Sequence, residues 1–155
     1  MPELPQIPAQ RVPLTEGAPK FDYITREWFR FFDLLHTNSP QPGTFLPTLT
    51  PGVNVSAVSA STCYFLYTGT VVQVSGQVSL DPVAAGNTQF QMSLPVPSAF
   101  TSAGQASGIF VTTAGGFSDT GSIVADVATG TLAFRLNAVN TGAAAYAFTA
   151  NYQIV

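Results

Sequence analysis

The stretch VVQVSGQVSL, residues 71–80, decides the fold class. Val72, Val74, Gly76, Val78 and Leu80 fall on one side of a two-residue repeat, and Gln73, Ser75, Gln77 and Ser79 fall on the other. Side chains alternate across a strand, so the pattern describes a strand with one face in a core and one face outside. The same period recurs downstream. Phe90, Met92 and Leu94 share a face in FQMSL, as do Leu132, Phe134 and Leu136 in TLAFRLNA. Tyr146, Phe148, Ala150, Tyr152 and Ile154 carry it through AYAFTANYQIV. The turn-rich pieces YTGT, LDPVAAGN, LPVPSAF, TTAGG and VATGT separate these runs. About eight strands at the spacing of a sandwich or barrel are expected, and no helical period follows residue 40. The predicted fold is mostly β, with an antiparallel jelly-roll-like β-sandwich head over residues 48–155.

Upstream the pattern changes twice. Residues 37–47, containing TNSPQPG, read as a linker, with Pro40 and Pro42 unable to continue a helix. Residues 24–36 read as one short amphipathic helix. Ile24, Trp28, Phe31 and Leu35 are spaced four, three and four apart, Phe32 widens that stripe, and Phe29 and Leu34 flank it. Asp22 or Thr25 is placed to cap the first turn, with Glu27 near the positive end of the helix dipole. Such a helix is marginal alone, and its aromatic load needs a companion surface. Residues 1–23 read as an extended arm, stiffened by Pro2, Pro5, Pro8, Pro13 and Pro19, with Leu4, Ile7, Val12 and Leu14 as apolar anchors along it.

Charge divides the chain at the same place. Of the 155 residues only 8% are charged, and the net charge is −3. Four of the five basic and five of the eight acidic residues lie in 1–36; beyond them stand only Asp81, Asp119, Asp126 and Arg135. No basic patch for nucleic acid is present, and no run of about 20 apolar residues is long enough to cross a membrane. The first residues lack the positive and apolar regions of a signal peptide, so synthesis and folding in a reducing cytosol are expected. The outward strand positions are mostly Ser, Thr, Gln, Asn and Ala, without the lysines that usually guard exposed edges. A surface of this kind suits a protein whose neighbours cover it, and a closed homotrimer is the expected assembly.

Catalytic chemistry is not expected. His36 stands at the end of the helix, where a cation is favoured anyway, with only Asp33 of ligand type nearby. Cys63 is the single cysteine and reads as a small buried hydrophobe in a strand. Asp81 lies in a turn, and Asp119 and Asp126 flank a strand, so all three read as solvated carboxylates. TAGGFSDTGS is glycine-rich but lacks the lysine and following helix of a phosphate loop, and reads as a hairpin loop. No enzyme, cofactor or metal is therefore expected. If a ligand is bound, the loops VAAGN and TAGGFSDTG, with Asn87, Phe117 and Asp119, are the places to look. Tyr64, Tyr67 and Phe117 suit sugar stacking, though core or interface packing is their commoner use.

ITREWFRFFDLL resembles a segment near the N-terminus of small tailed-bacteriophage virion proteins, where a proline-rich arm leads into a Thr-Arg-Glu-Trp-(Tyr/Phe)-Arg-Phe-Phe helix. TGTVVQVSGQVSL followed by MSLPVPSAF is similar to the β-rich heads of phage fibre and decoration proteins. The resemblance implies a non-enzymatic virion protein made in the host cytoplasm. Its arm and helix would fix it to a capsid or tail protein, and a trimeric sandwich would project as a head fibre or decoration. The same likeness admits a receptor-binding tail fibre or tail-tip protein that meets a host surface glycan. A carbohydrate-binding module is the remaining alternative.

Overall fold

The computed structural model describes residues 15–18, 21–24, 26–113, 119–139 and 141–155; for 15–24 and 36–38 only the backbone is described. The chain divides into two compact units, Met1–Pro40 and Gln41–Val155.

In the first unit, β1 (Thr15–Ala18) and β2 (Phe21–Ile24) pair as an antiparallel hairpin. The helix α1 spans Arg26–Asn38. It begins two residues later than the spacing predicts, because Ile24 pairs with Thr15 in the hairpin. Ile24 is therefore a strand residue and leaves the predicted helical stripe. Part of the segment read as an extended arm is likewise a hairpin.

The second unit is one ten-stranded antiparallel sheet. Its strands are β3 (Gln41–Phe45), β4 (Leu49–Pro51), β5 (Val55–Ala60), β6 (Cys63–Thr68), β7 (Val71–Pro82), β8 (Gly86–Met92), β9 (Ala106–Thr112), β10 (Thr120–Asp126), β11 (Thr131–Ala138) and β12 (Ala144–Gln153). They are ordered β3-β6-β7-β12-β9-β10-β11-β8-β4, with β5 also on β7. The mostly-β, sandwich-like architecture read from the alternation is present. Two short strands, β3 and β4, raise the strand number beyond eight. The predicted linker 37–47 contains the end of α1 and all of β3, which pairs with β6 from Gln41↔Tyr67 to Phe45↔Cys63. Pro42 and Gly43 hide this strand from a propensity reading, and pairing with β6 overrides them.

The sheet curls, and a corner between β4 and β5 bridges β8 to β7. β4 adds to β8, and the chain then turns through Asn54, at φ +57, into β5, which adds to β7. Asn54 fastens this corner to the β7–β8 turn. Its side-chain amide donates to Ala84 O (2.6 Å) and Thr88 Oγ1 (2.8 Å), and its Oδ1 accepts from Ala84 N (2.9 Å). Asparagine tolerates positive φ and bonds nearby backbone, so one residue both makes and locks the turn.

Every face predicted to point inward does so. Val72, Val74, Val78, Leu80, Phe90, Met92, Leu132, Phe134, Tyr146, Phe148 and Tyr152 are all buried. Phe134 stacks on Phe90 at 4.5 Å and meets Phe148 edge-on at 5.4 Å across the curled sheet. Phe110 joins them, 5.2 Å from Phe134 and 5.5 Å from Tyr146. Such pairs are each worth about 0.5–1.5 kcal/mol beyond the area they bury. Cys63 is buried as expected, and burial pushes its thiol above the usual range. At Gly108 a Cβ would stand 2.6 Å from the Ala150 Cβ and 2.7 Å from its Cα, so β9 and β12 approach more closely than any side chain permits. Tyr152 ties the 93–100 segment to the core: its hydroxyl donates to Val96 O (2.8 Å) and accepts from Val96 N (3.2 Å).

Candidate functional site

The helix gathers part of the predicted attachment surface. Trp28, Phe31 and Phe32 form a ring cluster, with centroids 5.6 Å (28–31), 5.8 Å (28–32) and 5.5 Å (31–32) apart. Spacings of three and four residues bring these positions onto one face. Trp28 and Phe31 are half-buried, whereas Phe32 and Leu35 are exposed and Phe29 is 64% exposed. Leu4, Ile7, Val12 and Leu14 lie outside the described residues, and for Ile24 only the strand backbone is described.

The three acids of the second unit stand in separate settings. Asp81 Oδ2 accepts from Ser56 Oγ (2.7 Å) at the irregular step between β5 and β7. Asp126 closes the β10–β11 turn, its Oδ1 accepting from Ala128 N (2.9 Å) and Thr129 N (3.3 Å), while Gly130 supplies φ +64. Gln91 donates to its other oxygen. Asp119 corrects the sequence reading. It is 7% exposed rather than solvated, because it precedes the outward Thr120 and so falls on the inward side of the alternation. Val139 N donates to its Oδ2 at 3.4 Å. Burial, and secondarily the Asp119 charge, push the Tyr146 hydroxyl above its ordinary range. Asp119 thus stands on the inward side of the sheet at the start of β10.

No family model, curated protein or solved structure matches this chain. Among the described residues no cluster of three or more His, Cys, Asp or Glu side chains is arranged to hold a metal, and no helix is long and apolar enough to cross a membrane.

Of the proposed ligand residues, Phe117 lies outside the described residues, and Asn87 is exposed on β8. Asn87 borders a shallow depression of about 430 Å3 on the outer face of β8, β11 and β10. Its other polar lining residues are Thr120, Ser122, Arg135 and Asn137, with Gly121 and Leu136 beside them. The sequence reading placed Thr120 in the candidate loop TAGGFSDTG but did not single out Ser122, Arg135 or Asn137 as ligand residues. The outward position of Arg135 in LAFRLNA was legible, but its neighbours come from strands distant in the chain.

The outer face of β6, β7, β12 and β9 carries mostly neutral side chains. The register sets Tyr64 beside Ser75, Ser75 beside Thr149 and Thr149 beside Ile109 across β6, β7, β12 and β9. Tyr64 and Ile109 are exposed. Tyr64 points outward and Tyr67 is partly buried against the core, so the two do not form one stacking platform.

Proposed function

We propose that this chain is a non-enzymatic structural protein of a bacteriophage virion. It is held to the particle by its N-terminal unit, and the β-unit projects as part of a homotrimeric head fibre or decoration. One observation carries the reading: the β-unit fills its core from its own strands, while α1 leaves Phe29, Phe32 and Leu35 exposed beside the Trp28–Phe31–Phe32 ring cluster. Burying one such side chain contributes roughly 1.5–3 kcal/mol, so a few per subunit suffice to anchor a small protein without covalent chemistry. The sequence likeness to virion proteins and the scarcity of charge on the β-unit support the same conclusion.

Particles assembled with the triple variant Phe29→Ser/Phe32→Ser/Leu35→Ser are expected to lack this protein, while the wild-type chain is incorporated and sediments as a trimer. A wild-type chain that stays monomeric at high concentration and never copurifies with particles removes the proposal.

A further inference from the structure

Arg135 is the only basic side chain in residues 37–155, and it stands mid-strand on the outer face of β11. The residues directly opposite are Gln89 on β8 and Ser122 on β10. One step along the strand, Asn137 faces Asn87, and on the other side Ala133 faces Gln91 and Val124. None of these neighbours is acidic. Asp119 is turned inward, and Asp126 lies opposite Thr131, about 13 Å along the strand from Arg135 and engaged by its own turn and by Gln91. Among the described residues the guanidinium has no hydrogen bond or ion pair. A lone, unpaired cation in the middle of a neutral strand surface contributes little to folding. Here it stands over a depression whose rim is otherwise amide and hydroxyl: Asn87, Asn137, Thr120 and Ser122.

We propose that this face binds the carboxylate of an acidic saccharide. The guanidinium fork matches a carboxylate in two parallel charge-assisted hydrogen bonds. The surrounding amides and hydroxyls both donate and accept, as sugar hydroxyls require. A protein carboxylate is the less suitable occupant, because the depression offers no apolar pocket for the anchoring side chain on which protein interfaces depend. The open shape and the absence of an aromatic platform among its described lining residues set the expected affinity in the millimolar range of a single weak subsite, gaining strength through repetition in an oligomer. The proposal is independent of the virion assignment and locates ligand binding on a sheet face rather than at the loop tips.

The test uses the full chain, labelled for backbone amide NMR. It is titrated separately with trigalacturonate, sialyllactose, neutral maltotriose and triglutamate. At least one acidic sugar is expected to give saturable shifts concentrated at Asn87, Ser122 and 135–137, weakened by added salt, while maltotriose gives none. Arg135→Gln should weaken that binding at least about tenfold at an unchanged melting temperature. Ser122→Trp, which fills the depression and keeps the cation, should abolish it. The proposal is overturned if neither acidic sugar shifts these residues, if maltotriose or triglutamate binds as well as the acidic sugars, or if Arg135→Gln leaves binding intact. It is also overturned if Arg135→Gln changes the oligomeric state instead, since that would make Arg135 a subunit contact.

Discussion

The two units of this chain apply the same rule to opposite ends. The β-unit, residues 41–155, turns its largest aromatic side chains inward: Phe90, Phe110, Phe134, Tyr146 and Tyr152 are all essentially inaccessible, while Tyr64, Leu66, Ile109 and Val111 stay exposed among small neutral residues outside. The N-terminal unit holds most of the charge, yet its helix keeps Phe29, Phe32 and Leu35 exposed. The interior rings of the β-unit therefore hold that unit together, whereas much of the apolar surface of α1 stays exposed. Composition alone does not separate these uses. Period does, because an alternating strand turns one whole side to a curled sheet, whereas the apolar positions of a helix recur every three or four residues.

The sharpest way to break this contrast is to attack the β core. Phe134→Ala removes the ring that touches Phe90, Phe110 and Phe148, and should cost about 3–5 kcal/mol in denaturant unfolding. A much smaller loss would mean that the core is not the close-packed unit described above.

Alkaline pH tests the same core through Tyr152, whose hydroxyl burial pushes up to about 12. An unfolded tyrosine titrates near pH 10, so the native state favours the neutral phenol. That contribution is fully present below pH ~10 and is lost as pH rises through ~12, amounting to about 2–3 kcal/mol at its limit. Chemical denaturation across this window should show the decline, and Tyr152→Phe should flatten it. Gly108→Ala should cost about 1–3 kcal/mol, because the obstructing atoms of Ala150 include backbone that cannot rotate away. Asp126→Ala, which removes the acceptor for Ala128 N and Thr129 N, should cost about 1 kcal/mol.

At the bottom of the scale stands the change that separates the units most cleanly. The Phe29→Ser/Phe32→Ser/Leu35→Ser variant should leave the main unfolding transition within about 0.5 kcal/mol of wild type, as expected of surface positions, while removing particle association. A large loss of β-unit stability would show that these side chains serve the core after all.

Much of the β-unit was legible because inward and outward residues alternate so regularly that face assignment needs no partner. Strand order was not legible: β12 lies between β7 and β9, and β8 between β11 and β4, through contacts that the local pattern cannot encode. β3 was missed because its Pro42 and Gly43 argue against a strand until β6 is present beside them. The β1–β2 hairpin was hidden among prolines, and Asp119 was misread because GGFSDTG looks like a solvated loop when its last acid in fact begins an inward row. At the candidate site the same limit applies. Asn87 was named for its loop and Arg135 was visible as an outward residue, but Asn87 meets Asn137, and Arg135 meets Ser122 and Gln89, only once three strands are in register.

The position of β3 has a mechanical consequence. It is a five-residue strand paired in the sheet to β6, and it is where the chain passes from the N-terminal unit into the β-unit. Any pull transmitted through that junction reaches this short ladder first. Its side chains are exposed or only partly buried, Phe45 against Phe65 being the main contact, so it can peel away while the corner held by Asn54 stays fastened. A load applied through the N-terminal unit would thus be taken up first by this ladder, as a shock absorber does, before the rest of the sheet is strained.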